Sequence, residues 1–376
     1  MKNPIYLDYN ATTPVDPEVA DEMLPFFTWF YGNPSSANDE GRKAKEAISK
    51  VRRQVASLIN AEEDEIVFTS GGTESNNHAI RGIASANSHK GNHIITSAIE
   101  HPAVTNVCDY LESNGFEITR IQVDSNGRVN ASDVEKAIRP GTILITIMHA
   151  NNEVGTIQPI AEIGEIAKKH KIVFHTDAAQ SLGKIETDVN KLNVDLLSVA
   201  GHKLYAPKGI GALYIKSGTK IDNILFGAGQ EKGLRPGTEN VPYIVGLGKA
   251  CEKAQRDFES NTRNMYSARE RLFDGLKAKL GEKVHLNGDF SGTLPNTLSL
   301  AFRGMEAHTL ASAIEKEVVI STGSACHAHS IEISSVLKAM NTPPEIGAAT
   351  VRISTGKNTS TEEIDRAVES IISVCL

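Results

Sequence analysis

Ile172-Val173-Phe174-His175-Thr176-Asp177-Ala178-Ala179-Gln180 is a short apolar run that ends abruptly in an acid. A run of this length, bounded by polar residues, reads as a buried strand. An acid at its carboxyl end is costly to bury unless a cation meets it. A helix N-cap is the other use for it. Outward from this stretch, similar runs lie at 66–70, 94–97, 118–123, 143–148, 195–199 and 210–215, with amphipathic segments at 40–58, 103–114 and 160–170 between several of them. Strands alternating with helices predict βαβ units and a mostly parallel sheet covered on both faces. Ligands of such sheets sit beyond the carboxyl ends of the strands, so the chemistry is expected just after these runs.

Near Glu252 the pattern changes. A charged helical stretch runs to about Leu280, followed by a strand at 297–302, a helix near 307–317, and strands at 318–321 and 350–354. Ser360 with Glu363 three residues on then announces a last helix by a capping box. The 376 residues fit about two domains at roughly 150 residues each. Residues 16–260 are expected to form a large α/β domain, and residues 1–15 with 261–376 a smaller one.

Composition narrows the partners. The chain is 40% hydrophobic and 23% charged, as in an ordinary globular protein. Lys+Arg number 39 and Asp+Glu 46, a net charge of −7. That balance argues against direct binding of nucleic acid or of an anionic membrane. The basic run Lys168-Lys169-His170-Lys171 reads as a solvated helix end. No apolar run approaches the ~18 residues of a membrane span, and the N-terminal residues lack the apolar stretch of a signal peptide. The four cysteines, Cys108, Cys251, Cys326 and Cys375, show no CxxC spacing. Free thiols in a reducing cytoplasm are therefore expected.

Three features share one chemistry. The run 66–70 enters Gly71-Gly72-Thr73-Glu74-Ser75-Asn76-Asn77 and a helix, a turn at which backbone amides can meet an anion. A tight turn with Thr73 as cap is the plainer reading of that motif alone. The run 195–199 leads into Ala200-Gly201-His202-Lys203, where burial would lower the lysine's pKa and suit it to a Schiff base. With Asp177, these supply what pyridoxal phosphate needs at its phosphate, its aldehyde and its pyridinium nitrogen.

At this point the sequence resembles the cysteine desulfurases of the NifS/IscS group, within the class V aminotransferase-like pyridoxal-phosphate enzymes. The motifs that carry the resemblance run the length of the chain. They begin with Tyr6-Leu7-Asp8-Tyr9-Asn10-Ala11-Thr12-Thr13-Pro14, Gly32-Asn33-Pro34-Ser35-Ser36 and the Gly71–Asn77 turn. They continue with Glu100-His101, Asn151-Asn152-Glu153, His175–Gln180, Gly201-His202-Lys203 and Arg235-Pro236-Gly237-Thr238-Glu239-Asn240. Gly323-Ser324-Ala325-Cys326 and Val351-Arg352-Ile353-Ser354 complete them. The resemblance implies the type I, aspartate-aminotransferase-like α/β fold, whose large domain holds a mostly parallel seven-stranded sheet. It assigns Lys203 to the Schiff base, Asp177 to the pyridine nitrogen, Gln180 to the ring's phenolic oxygen and His101 to stacking and proton shuttling. Thr73, the Gly72 amide and His202 are to bind the phosphate, with Thr238 reaching in from a second subunit of a homodimer. Asn152 and Arg352 are to hold the substrate carboxylate, for which the planar guanidinium fork is suited.

Cys326 stands apart from the other thiols. It ends a run of small residues and is followed by His327, Ala328 and His329, whose rings would favour thiolate. The implied activity turns L-cysteine into L-alanine and leaves sulfur as a persulfide on Cys326, for an acceptor such as an iron–sulfur scaffold or a thiolation enzyme. Some positions depart from the family pattern: Ala200 where serine is common, Asn38 where histidine is, Lys357 where arginine is, and His327 directly after the cysteine. Cys326-His327, the non-serine at 200 and the Arg-Pro-Gly-Thr-Glu-Asn spelling are also similar to selenocysteine lyases, so L-selenocysteine is the alternative substrate. A metal site built from Cys326, His327 and His329 is conceivable by alternation, but it leaves Lys203, Asp177 and Arg352 unexplained. A nicotinamide dehydrogenase lacks its GxGxxG after the first strand.

Overall fold

Adjacent residues of the central strands enter different cores, as the two-residue period of a strand dictates. Val67, Ile94, Leu144, Leu196 and Leu213 pack on one face of the main sheet with Ile80, Ile83 and Val104. Their neighbours Phe68, Ile95, Ile145, Leu197 and Ala212 pack on the other, with Val51, Val55, Ile163 and Val245. A sheet buried on both faces leaves no polar side to its inner strands, which is why the sequence shows continuous apolar runs. The computed structural model describes residues 4–322, 325–327 and 330–376, with the backbone alone for 325–327 and 330–332.

The main sheet has seven strands in the spatial order Ile66–Thr69, Gly211–Ile215, Leu196–Ala200, Val173–Asp177, Thr142–Thr146, His93–Ser97 and Glu117–Ile121. Gly211–Ile215 runs antiparallel to both its neighbours and the remaining pairs are parallel. Each expected strand of this region is present within a residue or two. The helices Asp39–Ile59, Pro102–Ser113 and Ile160–His170 occupy the expected amphipathic segments. Asn38, one of the departures noted above, caps the first of them by accepting from Gly41 N at 2.9 Å.

The C-terminal section builds a second sheet, Ser321–Thr322, Thr350–Ser354, Thr297–Phe302 and Val284–Leu286. Its core joins Leu298, Leu300 and Val351 to Leu272 and Leu276 of the helix Phe258–Leu280 and to Ile364 and Ile371 of the helix Thr361–Cys375. The capping box at Ser360 and Glu363 is formed. Two expectations need correction. The charged helical stretch is two helices, Val241–Arg256 and Phe258–Leu280, separated at Asp257. The strand expected at 318–321 is two short ones: Val318–Val319 pairs with Ile5–Tyr6, and Ser321–Thr322 pairs with Thr350–Ser354. Val336, Leu337 and Met340 pack into the core of the main sheet, although they lie in the C-terminal section.

The N-terminal strand has the largest consequence for function. Ile5 and Leu7 are buried in the C-terminal core, and Asp8 bridges to Ser354. The chain then crosses to the main sheet, where Thr13 N donates to His202 O. Asp8 and Asn10 are thereby carried to the junction of the two sheets. No helix among the described residues is long and apolar enough to cross a membrane.

Candidate active site

The strand Val173–Asp177 delivers Asp177 to the floor of a cavity of about 330 Å³ beyond the carboxyl ends of the sheet. That size suits a bound cofactor. Asp177 is 6% exposed. Its Oδ2 accepts from Asn76 Nδ2 at 2.7 Å and its Oδ1 from Ala179 N at 2.9 Å. The helix carrying Asn76, Gly72–Asn87, starts at Gly71, whose φ of 149° is reached at low cost only by glycine. No side chain caps this helix. Thr73 is therefore not the cap but a residue of the first turn, and the free N–H groups face the cavity end of the helix with its positive dipole. A Cβ added to Gly72 would come 3.2 Å from Ala200 Cβ, so glycine keeps that wall open.

The adjacent strand Leu196–Ala200 runs into the 3-10 turn Gly201–Lys203. Gly201 sits where a Cβ would meet Ile210 O at 2.8 Å, so the turn can pack this tightly only with glycine. Lys203 Nζ donates to Ala11 O at 2.7 Å and to Asn10 O. Burial pushes its pKa down to about 8, and the Arg352 charge adds to this against Asp8 and Asp177. His202 is pushed to about 4, first by burial and then by Lys203, Lys208 and His101, and its Nδ1 lies 3.1 Å from Thr12 Oγ1. It is therefore neutral at pH 7, and an anion placed beside it would be met by hydrogen bonding rather than by charge.

His101 precedes Pro102, which holds it extended and makes it the N-cap of the helix Pro102–Ser113. Its Nδ1 accepts from Ala103 N at 3.1 Å. The proton of the neutral ring must then sit on Nε2. The ring is open to the cavity, yet the surrounding protein removes enough water to lower its pKa, with Asp177 opposing and Lys203 assisting. Behind it Glu100 accepts from Ser97 Oγ at 2.5 Å and Met148 N at 2.9 Å, and burial with the Asp177 charge pushes it up to about 8.

Arg352 comes from the middle of the second sheet, opposite Ser299 and Ser321. One guanidinium nitrogen donates to Asp8 Oδ1 at 2.7 Å and another to Asn152 O at 3.2 Å. Its Nε is buried with no hydrogen-bond partner among the described residues. Gln180 donates through Nε2 to Asn10 O at 3.0 Å. Its Oε1 accepts from Lys184 Nζ at 3.1 Å.

Nine of the residues singled out in the sequence thus line one cavity: Gly72, Thr73, His101, Asn152, Asp177, Gln180, His202, Lys203 and Arg352. Thr238 does not. It is exposed in the loop 234–240, outside the lining of this chain's cavity. The side chains of Cys326 and His327, and all of His329, lie outside the described residues; the backbone of Ala325–His327 pairs with Ser330–Glu332, Cys326 opposite Ile331. Cys108 and Cys251 behave as packing groups, since burial pushes both thiols up to about 12.

Sequence reasoning gave no role to Asp8, Asn10, Asn76, Glu100 or Lys184. All but Lys184 fall inside the quoted motifs, which was the available signal. Lys184 had none.

The residues present fit pyridoxal phosphate. An acid and an amine face one cavity, an uncapped helix start stands at the same cavity, and small side chains such as Ala150, Ala179 and Ala200 leave room between them. The comparisons with known proteins agree. Residues 5–367 match the family description Aminotransferase class-V. The cysteine desulfurase IscS of Methanosarcina thermophila is 50% identical over 368 residues, 98% of this chain and 91% of that protein. A solved NifS-like protein superposes with a TM-score of 0.93 at 38% identity, covering 99% of both chains. A structure described as SspA in complex with cysteine matches at a TM-score of 0.84 and 40% identity, covering 94% of this chain and 99% of that one. The chain therefore belongs to the class V aminotransferase family, in the group that contains the IscS and NifS-like proteins.

Proposed function

We propose that this chain is a pyridoxal-phosphate-dependent cysteine desulfurase that converts L-cysteine to L-alanine and leaves the sulfur as a persulfide on Cys326. The observation that carries this reading is the meeting of Lys203, Asp177 and Arg352 around one cavity. The names of the relatives support it. The bound cofactor supplies an electron sink for the pair left at the substrate's Cα. Asp177, fixed by Asn76 and Ala179 N, holds a proton at the pyridine nitrogen. Lys203, with its pKa drawn near 8, is poised to take the α-proton at neutral pH. Arg352 and Asn152 hold the substrate carboxylate, and the unpartnered Nε of Arg352 is a donor ready for it. His101 moves a proton through Nε2. Cys326 attacks the substrate sulfur: the Cβ–S bond breaks, an S–S bond forms, and the electron pair left at Cβ takes a proton to give alanine.

The experiment that tests this is mass spectrometry of the protein after incubation with L-cysteine. A gain of one sulfur on the peptide containing Cys326, removable by a thiol reductant, is the expected result. Alanine release with no sulfur on Cys326 would overturn the assignment.

The same reading makes the protein a homodimer. Thr238 is exposed and outside the lining of its own cavity, and Phe27, Trp29 and Tyr31 expose 51%, 76% and 76% of their surface in one short segment, an apolar patch of the kind that marks interfaces. Light scattering is expected to give twice the chain mass, and a fully active monomer would refute it. Residues 16–260 form the cofactor-binding domain in this reading, and residues 1–15 with 261–376 the domain that carries the Cys326 segment. A sulfur-acceptor protein in the cytoplasm completes it, in keeping with the free thiols of Cys108, Cys251 and Cys375.

A further inference from the structure

Lys184 is 7% exposed and has no part in the reading above. Among the described residues, the charges that act on it are the cations Lys203 and Arg352, and burial with these pushes its pKa down to about 7. A lysine buried without a counter-ion is destabilising, and a methionine of similar length would fill the space without that cost. Its amine instead donates to two side-chain oxygens, Gln180 Oε1 and Asn10 Oδ1, each at 3.1 Å.

The two acceptors differ in how else they are held. Asn10 is fixed from several sides: its Oδ1 also accepts from Asn296 Nδ2 at 3.0 Å, and its Nδ2 donates to Thr297 Oγ1 at 2.8 Å and Asn152 O at 3.2 Å. Gln180 has fewer ties. Its Nε2 reaches Asn10 O, the carbonyl that Lys203 also uses, and its Oε1 meets Lys184. In its ammonium form Lys184 has only donors, and that form accepts no flipped amide. With Oε1 taken, Gln180 turns its N–H edge toward Lys203, and one of its two N–H groups remains beyond the bond to Asn10 O.

We propose that Lys184 is a positioning residue that locks the carboxamide of Gln180 with its N–H edge toward the cofactor's ring oxygen. The proposal rests on the cofactor reading of the site, in which Gln180 meets that oxygen. Fixing a donor before the cofactor arrives spares the site a reorientation and keeps an amide oxygen from facing an anionic one. The functional gain offsets the buried unpaired cation.

The test follows the visible absorbance of the purified holoenzyme through a pH titration. Lys184→Met is expected to move the midpoint of the colour change up by about one pH unit. The ring oxygen, sharing less of its negative charge with Gln180, then holds the neighbouring proton more tightly. Thermal stability should stay equal or rise, because an unpaired buried charge is gone. In a Gln180→Leu background the same Lys184→Met change should give almost no further shift, as a residue acting through Gln180 requires. Lys184→Gln keeps a donor without the charge; it is expected to shift the midpoint less, and it carries the comparison if Lys184→Met does not fold. No shift on replacing Lys184, or an equal shift with and without Gln180, would overturn the proposal. A wild-type protein with no visible band after addition of pyridoxal 5′-phosphate would instead overturn the cofactor reading.

Discussion

Lys203→Ala is expected to lose the visible absorbance of the bound cofactor on dialysis and to lower alanine formation from L-cysteine by about a thousandfold or more. Two roles vanish with one amine. In the proposed reading the covalent attachment goes, and Asp177, His202 and the start of the helix Gly72–Asn87 would be left to hold the cofactor. The base also goes, and the buried amine of Lys184 does not replace it, because it is engaged with Gln180 and Asn10. The fold should survive, since among the described residues Lys203 Nζ bonds only the backbone carbonyls of Asn10 and Ala11. Circular dichroism separates loss of function from loss of fold. A mutant that keeps its colour after dialysis and turns over at the wild-type rate would refute the assignment.

Cys326→Ala should leave the colour intact and reduce alanine release from L-cysteine by about a hundredfold or more. A nucleophile speeds only the step it joins, and attack on the substrate sulfur comes after the steps that need Lys203, Asp177 and Arg352. The spectral change on mixing with L-cysteine should therefore persist in the mutant while turnover collapses. L-selenocysteine gives the sharper contrast. Selenium leaves more readily than sulfur and has less need of an attacking thiolate, so the mutant should keep part of its activity on that substrate. Measuring alanine release from both amino acids decides the matter. Desulfuration of L-cysteine by the mutant at the wild-type rate would show that another group accepts the sulfur.

Much of the fold and the site was legible in the residues. Strands buried on both faces announce themselves as apolar runs, and the chemistry of an open α/β sheet follows their carboxyl ends, so Asp177 and Lys203 gained meaning jointly with the glycine turn, neither being decisive by itself. The Gly71-Gly72-Thr73 turn was recognisable, but its detail was not. A tight turn capped by Thr73 is one of its two readings from the residues, whereas in the structure Gly71 at positive φ begins the helix and leaves its first N–H groups free. The residues at 318–321 read as one strand because a local pattern does not reveal that Val318–Val319 and Ser321–Thr322 pair with different partners.

What the sequence by itself determined is the set of groups whose chemistry depends on residue type and local position: the strand-end acid, the strand-end lysine and the glycine turn. What only the tertiary structure decided is how distant segments condition them. Asp8 and Asn10 reach Arg352, Gln180 and Lys203 because the N-terminal strand is drawn into the C-terminal core before the chain crosses to the main sheet. Lys184 becomes a buried, donor-only neighbour of Gln180 for the same kind of reason. Alternation and capping are set by neighbours along the chain and leave a mark in the sequence. Burial, desolvation and hydrogen bonds across the junction depend on which surfaces the two cores bring together, and no local pattern records that.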